Sequence, residues 1–148
     1  MLVRLGAVVL ILAAVFGALG CGTNLDTYNR TMDAWTDDLN AMPAFPQVQH
    51  DQQGLPYFDD SESGARLQAS TGALAELEKI KPPRQIAQEH QRLVEAYRVW
   101  FQLERQFVAA AAVHDFATTK RVEQSLKNQQ NELDDALAQI GRAIEGAR

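Results

Sequence analysis

Cysteine is the scarcest residue type in this 148-residue chain, and basic residues are fewer than acidic ones. The chain has a single cysteine, which excludes an intrachain disulfide and a cysteine-based structural zinc cluster. Its 14 Lys and Arg residues are outnumbered by 19 Asp and Glu residues, and the resulting net charge of −5 argues against a nucleic-acid partner, which requires a basic surface. The hydrophobic share of 46% argues against full disorder, and the length fits one domain.

Sequence motifs of catalysis and metal binding are also missing. The chain has no Gly-x-Ser-x-Gly nucleophile elbow, no phosphate-binding P-loop and no Gly-x-Gly-x-x-Gly. It has no His-Glu-x-x-His, and the di-iron pattern Glu-x-x-His fails at His90 because residue 87 is alanine. Neighbouring carboxylates such as Asp37 and Asp38 point about 100° apart on a helix, so they do not form an acid–base pair. The sequence predicts no enzyme activity, no metal and no cofactor.

An uninterrupted apolar run occupies the N-terminal part of the chain. Residues 5–19 contain no charged or strongly polar side chain, Arg4 precedes them, and the first acidic residue is Asp26. A basic residue, a short apolar core and small residues after it are typical of a secretory signal, whereas a membrane-spanning helix needs about 20 apolar residues. We therefore expect residues 1–20 to be a signal peptide.

The single cysteine follows this run directly. Ala18-Leu19-Gly20-Cys21 resembles the lipobox of bacterial lipoproteins, although that family usually has leucine at the position of Ala18 and a small residue at that of Leu19. The resemblance implies that the peptide before Cys21 is removed and that Cys21 carries lipid such as palmitate. It also implies a membrane-anchored location in the cell envelope, facing the periplasm or the exterior. Without Arg4 the remaining chain has 13 basic and 19 acidic residues, so lipid rather than charge would hold it to an anionic membrane.

Helical periodicity dominates the rest of the chain. Apolar residues recur every three or four positions over four segments, 23–41, 61–81, 83–114 and 115–147. Asp115 is a natural N-cap for the last segment. We predict an all-α fold, an antiparallel four-helix bundle that forms a single domain over residues 21–148, with helices 3 and 4 in a long hairpin.

A proline-containing linker, residues 43–60, separates the first two predicted helices. Pro43, Pro46 and Pro56 prevent this segment from forming one helix, and its 18 residues exceed the roughly 2–8 that are typical of bundle connections. Its apolar residues predict that it packs onto the domain. Phe45, Tyr57, Phe58 and the nearby Trp35 form the predicted contact surface for a partner, provided that these aromatic rings are exposed.

Polar residues within the apolar stripe of the third helix are the candidate site residues. His90 is interpreted either as a buried histidine that is hydrogen-bonded across the bundle or as a ligand-binding group. In the second interpretation it lies at one end of an interhelical pocket lined by Tyr97, Trp100, Phe101 and Phe107. Glu104 lies about 21 Å further along the helix, too far to share a metal ion with His90.

The predicted hairpin also assigns partners to its polar residues. Pairing the two helices around residue 114 places Glu104 opposite Ser125 and Trp100 opposite Gln129. Such polar pairs fix the register of a bundle. On this basis, replacement of Glu104 by leucine is expected to leave the fold intact or more stable.

A second resemblance covers about 20 residues. Ile80-x-Pro82-Pro83, followed by His90, Leu93 and Val94, resembles small secreted or lipid-anchored helical-bundle proteins of bacteria, many without an assigned function. It implies a helical bundle and no activity. Two functions stay open: an interaction or structural module with a protein partner in the envelope, or a lipoprotein that binds a small molecule or metal near His90.

Overall fold

Four α-helices make up most of the chain in the computed structural model. The structure describes residues 23–43, 49–50, 52, 56–57 and 60–147. The helices are α1 (Thr23–Asn40), α2 (Asp60–Lys79), α3 (Ala87–Ala112) and α4 (Phe116–Gly146). The predicted helical fold class is confirmed. Residues 1–22, with the apolar run and Cys21, and the linker residues Phe45 and Phe58 lie outside the described residues.

A short antiparallel ladder lies between α1 and α2. Its strands are β1 (Gln49–His50) and β2 (Pro56–Tyr57), and Gln49 pairs with Tyr57. Each strand has two residues, which is too short for a period-two pattern to appear in the sequence. The sequence therefore predicts a non-helical segment here without predicting the ladder.

Two prolines delay the start of α3 relative to its predicted start at residue 83. Pro83 has an extended backbone (φ −57°, ψ 152°), and a 3-10 turn over Arg84–Ile86 precedes the α-helix. The backbone N–H of Ile86 donates to the carbonyl of Pro83 at 3.1 Å. The α-helix therefore begins at Ala87, four residues later than the sequence predicts.

The turn between α3 and α4 is tight because two helix-terminal motifs overlap in it. The N–H of His114 donates to the carbonyl of Ala111, and that of Asp115 to the carbonyl of Ala110. These two bonds form a Schellman motif, in which His114 takes the left-handed conformation (φ 56°) usually taken by glycine. The Asp115 carboxylate then accepts from the N–H of Thr118 at 3.0 Å, which confirms Asp115 as the N-cap of α4.

A single hydrophobic core joins all four helices. Phe101, Leu93, Leu77 and Ile86 are almost completely shielded from solvent, and Tyr28, Met32 and Trp35 bring the inward face of α1 to the same cluster. From α4 the core receives Val122, Leu126, Leu133, Ala136, Leu137, Ile140 and Ile144. The wide apolar face of α3 is thus covered from several sides, as its sequence pattern predicts.

Specific contacts place the helix ends relative to α3. Tyr28, near the start of α1, contacts His90 near the start of α3, and Trp35 packs on Tyr97 about two turns later in each helix. On the other side, Arg92 donates to the side chain of Gln139 near the end of α4 at 2.8 Å. The starts of α1 and α3 therefore lie at the same end of the molecule as the last turns of α4.

Candidate functional site

His90 is buried and bonded to two other helices. It lies in the first turns of α3 with 4% of its surface exposed, and its Nδ1 lies 3.0 Å from the hydroxyl oxygen of Tyr28 in α1. Burial lowers the pKa of His90, while a hydrogen bond to the backbone of Leu77, near the end of α2, raises it. The Tyr28 hydroxyl and Nδ1 of the neutral ring share one hydrogen bond, and the ring tautomer decides which of the two donates.

An open groove lies beside His90, between the end of α2 and the start of α3. Its volume is about 520 Å³. Arg98 bridges part of its rim, since it bonds to Glu78 of α2 at 2.7 Å and also to Glu95 of α3. The lining combines apolar, basic and acidic groups: Glu78, Ile80, Lys81, Pro82, Ala87, His90, Gln91, Val94 and Arg98.

The four aromatic residues predicted to line a pocket with His90 all lie in the core. The rings of Tyr97 and Phe101 are 5.6 Å apart, and Tyr97 also meets Trp35 edge-on with ring centroids 4.8 Å apart. Trp100 and Phe107 are also buried. The groove beside His90 is not lined by any of these four, so in the described residues His90 and the aromatic cluster are separate features.

Glu104 is the centre of a buried polar network that joins α2 to α3. Its Oε1 accepts from Arg66 Nε at 3.1 Å and from a terminal Arg66 nitrogen at 2.7 Å, and also from Trp100 Nε1 at 3.1 Å. Its Oε2 accepts from the Ser70 hydroxyl at 2.5 Å. Arg66 donates in addition to the carbonyl of Pro43, just after α1, at 2.8 Å. The network therefore ties three segments together around one carboxylate.

The partner predicted for Glu104 is wrong. Ser125 bonds instead to the carbonyl of Arg121 in its own helix, and Gln129 donates to the carbonyl of Ala96 rather than facing Trp100. Glu104 points to α2, where Arg66 and Ser70 lie one helical turn apart on the same face. That i, i+4 spacing of a base and a hydroxyl was the available signal in the sequence, but it does not identify the facing acid.

Neither a cluster of metal ligands nor a membrane-spanning helix is found among the described residues. In residues 23–43 and 60–147, and in the short strands, no three His, Cys, Asp or Glu side chains converge as metal ligands would. Within the same ranges no helix has the length and apolar composition needed to span a bilayer.

Comparison with known proteins identifies no similar protein. No protein-family model matches the chain, and the searches of curated proteins and of solved structures found no match.

His90 gives the fold a predicted dependence on pH. In the folded state its pKa lies below the usual 6.5, so the unfolded chain binds more protons between the two values. We expect the contribution of His90 to the free energy of unfolding to be constant above pH 6.5. This contribution should fall as the pH is lowered from 6.5 to the folded-state pKa. Urea unfolding at a series of pH values measures this slope.

Two variants distinguish the effect of His90 on the pH dependence of stability from the effects of other titrating groups. His90→Gln keeps an acceptor for the Tyr28 hydroxyl and has no charge to gain, so its slope near pH 6 should be shallower than that of the wild type. His114→Gln is the matched control, because it makes the same His-to-Gln change at an exposed position at the other end of α3. Equal slopes in the wild type and His90→Gln would contradict the prediction.

Proposed function

We propose that the chain is a lipid-anchored antiparallel four-helix bundle of the cell envelope that acts as an interaction or structural module without catalysis. One observation carries the proposal. The only cysteine, Cys21, ends the apolar run in a lipobox-like sequence, and the first helix begins two residues later at Thr23. An acyl chain on Cys21 would therefore be attached almost directly to α1, with little free linker between the bilayer and the domain.

The helix contacts support the bundle arrangement within this proposal. From His90 to Tyr97 along α3, the contacting residue of α1 changes from Tyr28 to the later Trp35. From His90 to Glu104 along α3, the contacting residue of α2 changes from Leu77 to the earlier Arg66. Antiparallel neighbours are usual when bundle helices follow each other through a short connection, as α2 and α3 do.

The test is the intact mass of the full chain made in a bacterial host and extracted from membranes. We expect a mature N-terminus at Cys21 with the added mass of acyl chains, because each buried CH₂ stabilises membrane attachment by about 0.8 kcal/mol and several chains anchor a protein stably. Cys21→Ser should lose the added mass entirely. Gly22→Ser, a neighbouring control that keeps the thiol, should retain it. An unmodified wild-type N-terminus would contradict the proposal.

A second candidate function is the binding of a small molecule or metal near His90. The observation that favours it is the groove of about 520 Å³ with His90 in its wall. The same preparation, measured by native mass spectrometry, tests it: extra mass that acid or a chelator removes would support a bound ligand. Loss of that mass in His90→Gln would place the ligand in the groove, and a mass explained by polypeptide and acyl chains alone would contradict this candidate.

A further inference from the structure

The turn between α3 and α4 exposes apolar side chains. We name residues 113–116 the hairpin tip. Val113 is 73% exposed and Phe116 43% exposed, whereas in the rest of the described chain Val99, at 36%, is the one other exposed large hydrophobic residue. His114 lies between them, exposed, with its ring centroid 6.1 Å from that of Phe116. The tip therefore presents a small apolar protrusion at the end of two long helices.

Two exposed basic side chains follow the hairpin tip on α4. Lys120 and Arg121 are exposed four and five residues after Phe116, which corresponds to about 6–8 Å along the helix axis. They line a shallow depression of about 580 Å³ on α4, in which Lys127 is ion-paired with Glu123 at 3.0 Å. Asp115 is the acid of the tip itself, and its carboxylate caps α4. Near the tip, two exposed cations, Lys120 and Arg121, therefore outnumber the one acid, Asp115, in a chain whose net charge is −5.

The hairpin tip is remote from the start of α1. The Tyr28–His90 contact places the first turns of α1 beside the first turns of α3. The 23 residues from His90 to Val113 then extend about 35 Å along α3, away from the end of the molecule at which α1 starts. If Cys21 carries the lipid anchor, as proposed above, the tip is the part of the domain furthest from the anchoring membrane.

We propose that the hairpin tip binds a second membrane surface that contains anionic phospholipid. Val113 and Phe116 enter the boundary between headgroups and acyl chains, and Lys120 and Arg121 contact the lipid phosphates. Interfacial segments bury apolar side chains about 5–10 Å deep, which matches the axial spacing between Phe116 and the two cations. Two apolar side chains are far too few for a stable protein–protein interface, which buries at least about 1,200 Å².

The experiment is a vesicle-capture assay with the full chain, and it rests on the proposed lipid anchor to attach the protein to the donor vesicles. The protein is reconstituted into dense, sucrose-loaded donor vesicles of phosphatidylcholine, and its retention by these donors is measured first. Fluorescent acceptor vesicles of equal parts phosphatidylcholine and phosphatidylglycerol are then added, and the acceptors that sediment with the donors are counted. Wild-type protein should capture anionic acceptors, and added salt should reduce the capture.

Three variants define the surface. The double variant Val113→Ser and Phe116→Ser should weaken capture about tenfold or more, because it removes both apolar anchors. Lys120→Gln with Arg121→Gln should weaken it and reduce its salt dependence. Val99→Ser, which changes the exposed apolar residue on the shaft of α3, is the matched control and should capture like the wild type.

The outcomes separate the two proposals. Failure of the donors to retain the protein would contradict the lipid anchor. Retained protein that captures no anionic acceptors, or a tip variant that captures as well as the wild type, would overturn the role of the tip. Equal capture of pure phosphatidylcholine acceptors would overturn the role of the basic residues.

Discussion

Replacement of Glu104 by leucine is expected to lower the free energy of unfolding by about 3–5 kcal/mol, because it leaves a buried charge without its partner. The Arg66 side chain is only 12% exposed, and its guanidinium lies 2.7 Å from the Glu104 carboxylate. The same substitution removes the acceptor for Ser70 and Trp100. Urea unfolding of the wild type and the variant at neutral pH measures the difference.

A double-mutant cycle tests the mechanism. Arg66→Met combined with Glu104→Leu replaces both charges with apolar side chains of similar size. It should recover the part of the stability that Glu104→Leu loses through the unpaired arginine, while Ser70 and Trp100 still lack their acceptor. Glu95→Leu is the matched control on the same helix, since Glu95 is 59% exposed and its ion pair with Arg98 lies in solvent. A double variant as unstable as Glu104→Leu would show that the loss does not arise from the unpaired arginine.

This expectation reverses the one that the sequence alone supports. The sequence places Glu104 correctly in the apolar stripe of α3, and it assigns a partner by counting residues outward from the turn at 114. That count predicts which residues of α3 and α4 lie at the same height in the hairpin. It does not predict the direction in which each side chain points around its helix axis. The contacts of α3 with α2 turn Glu104 toward Arg66, so a neutral pairing with Ser125 is replaced by a buried ion pair.

Helix positions were easier to predict than the partners of polar residues. The periodicity over α1 and α4 and the N-cap at Asp115 depend on residues close together in sequence, and the structure reproduces them within one residue at each end. The Tyr28–His90 bond joins residues 62 positions apart, and no local pattern specifies it. The same applies to the bond from Arg66 to the Pro43 carbonyl, which forms only when α2 has packed beside the end of α1.

Replacement of Phe101 by alanine is expected to lower the free energy of unfolding by about 3–5 kcal/mol, because it leaves a cavity in a closely packed core. Phe101 is 1% exposed and is the largest fully buried side chain among the described residues, and its ring packs against Tyr97. Urea unfolding with the slope compared between variants measures the loss. Phe116→Ala is the matched control, since the same ring at the exposed hairpin tip contributes little to the core.

The result also decides between the two interpretations of the aromatic residues in α3. If Phe101 lined an open interhelical pocket, its truncation would enlarge a space that solvent or a ligand already occupies, and the cost would stay below about 1 kcal/mol. A small loss of unfolding free energy would therefore contradict the assignment of Phe101 to the core. It would support a pocket that reaches from the groove at His90 toward Phe101. A large loss would restrict any ligand to that groove, whose His90 is held by Tyr28 and Leu77 from the two neighbouring helices.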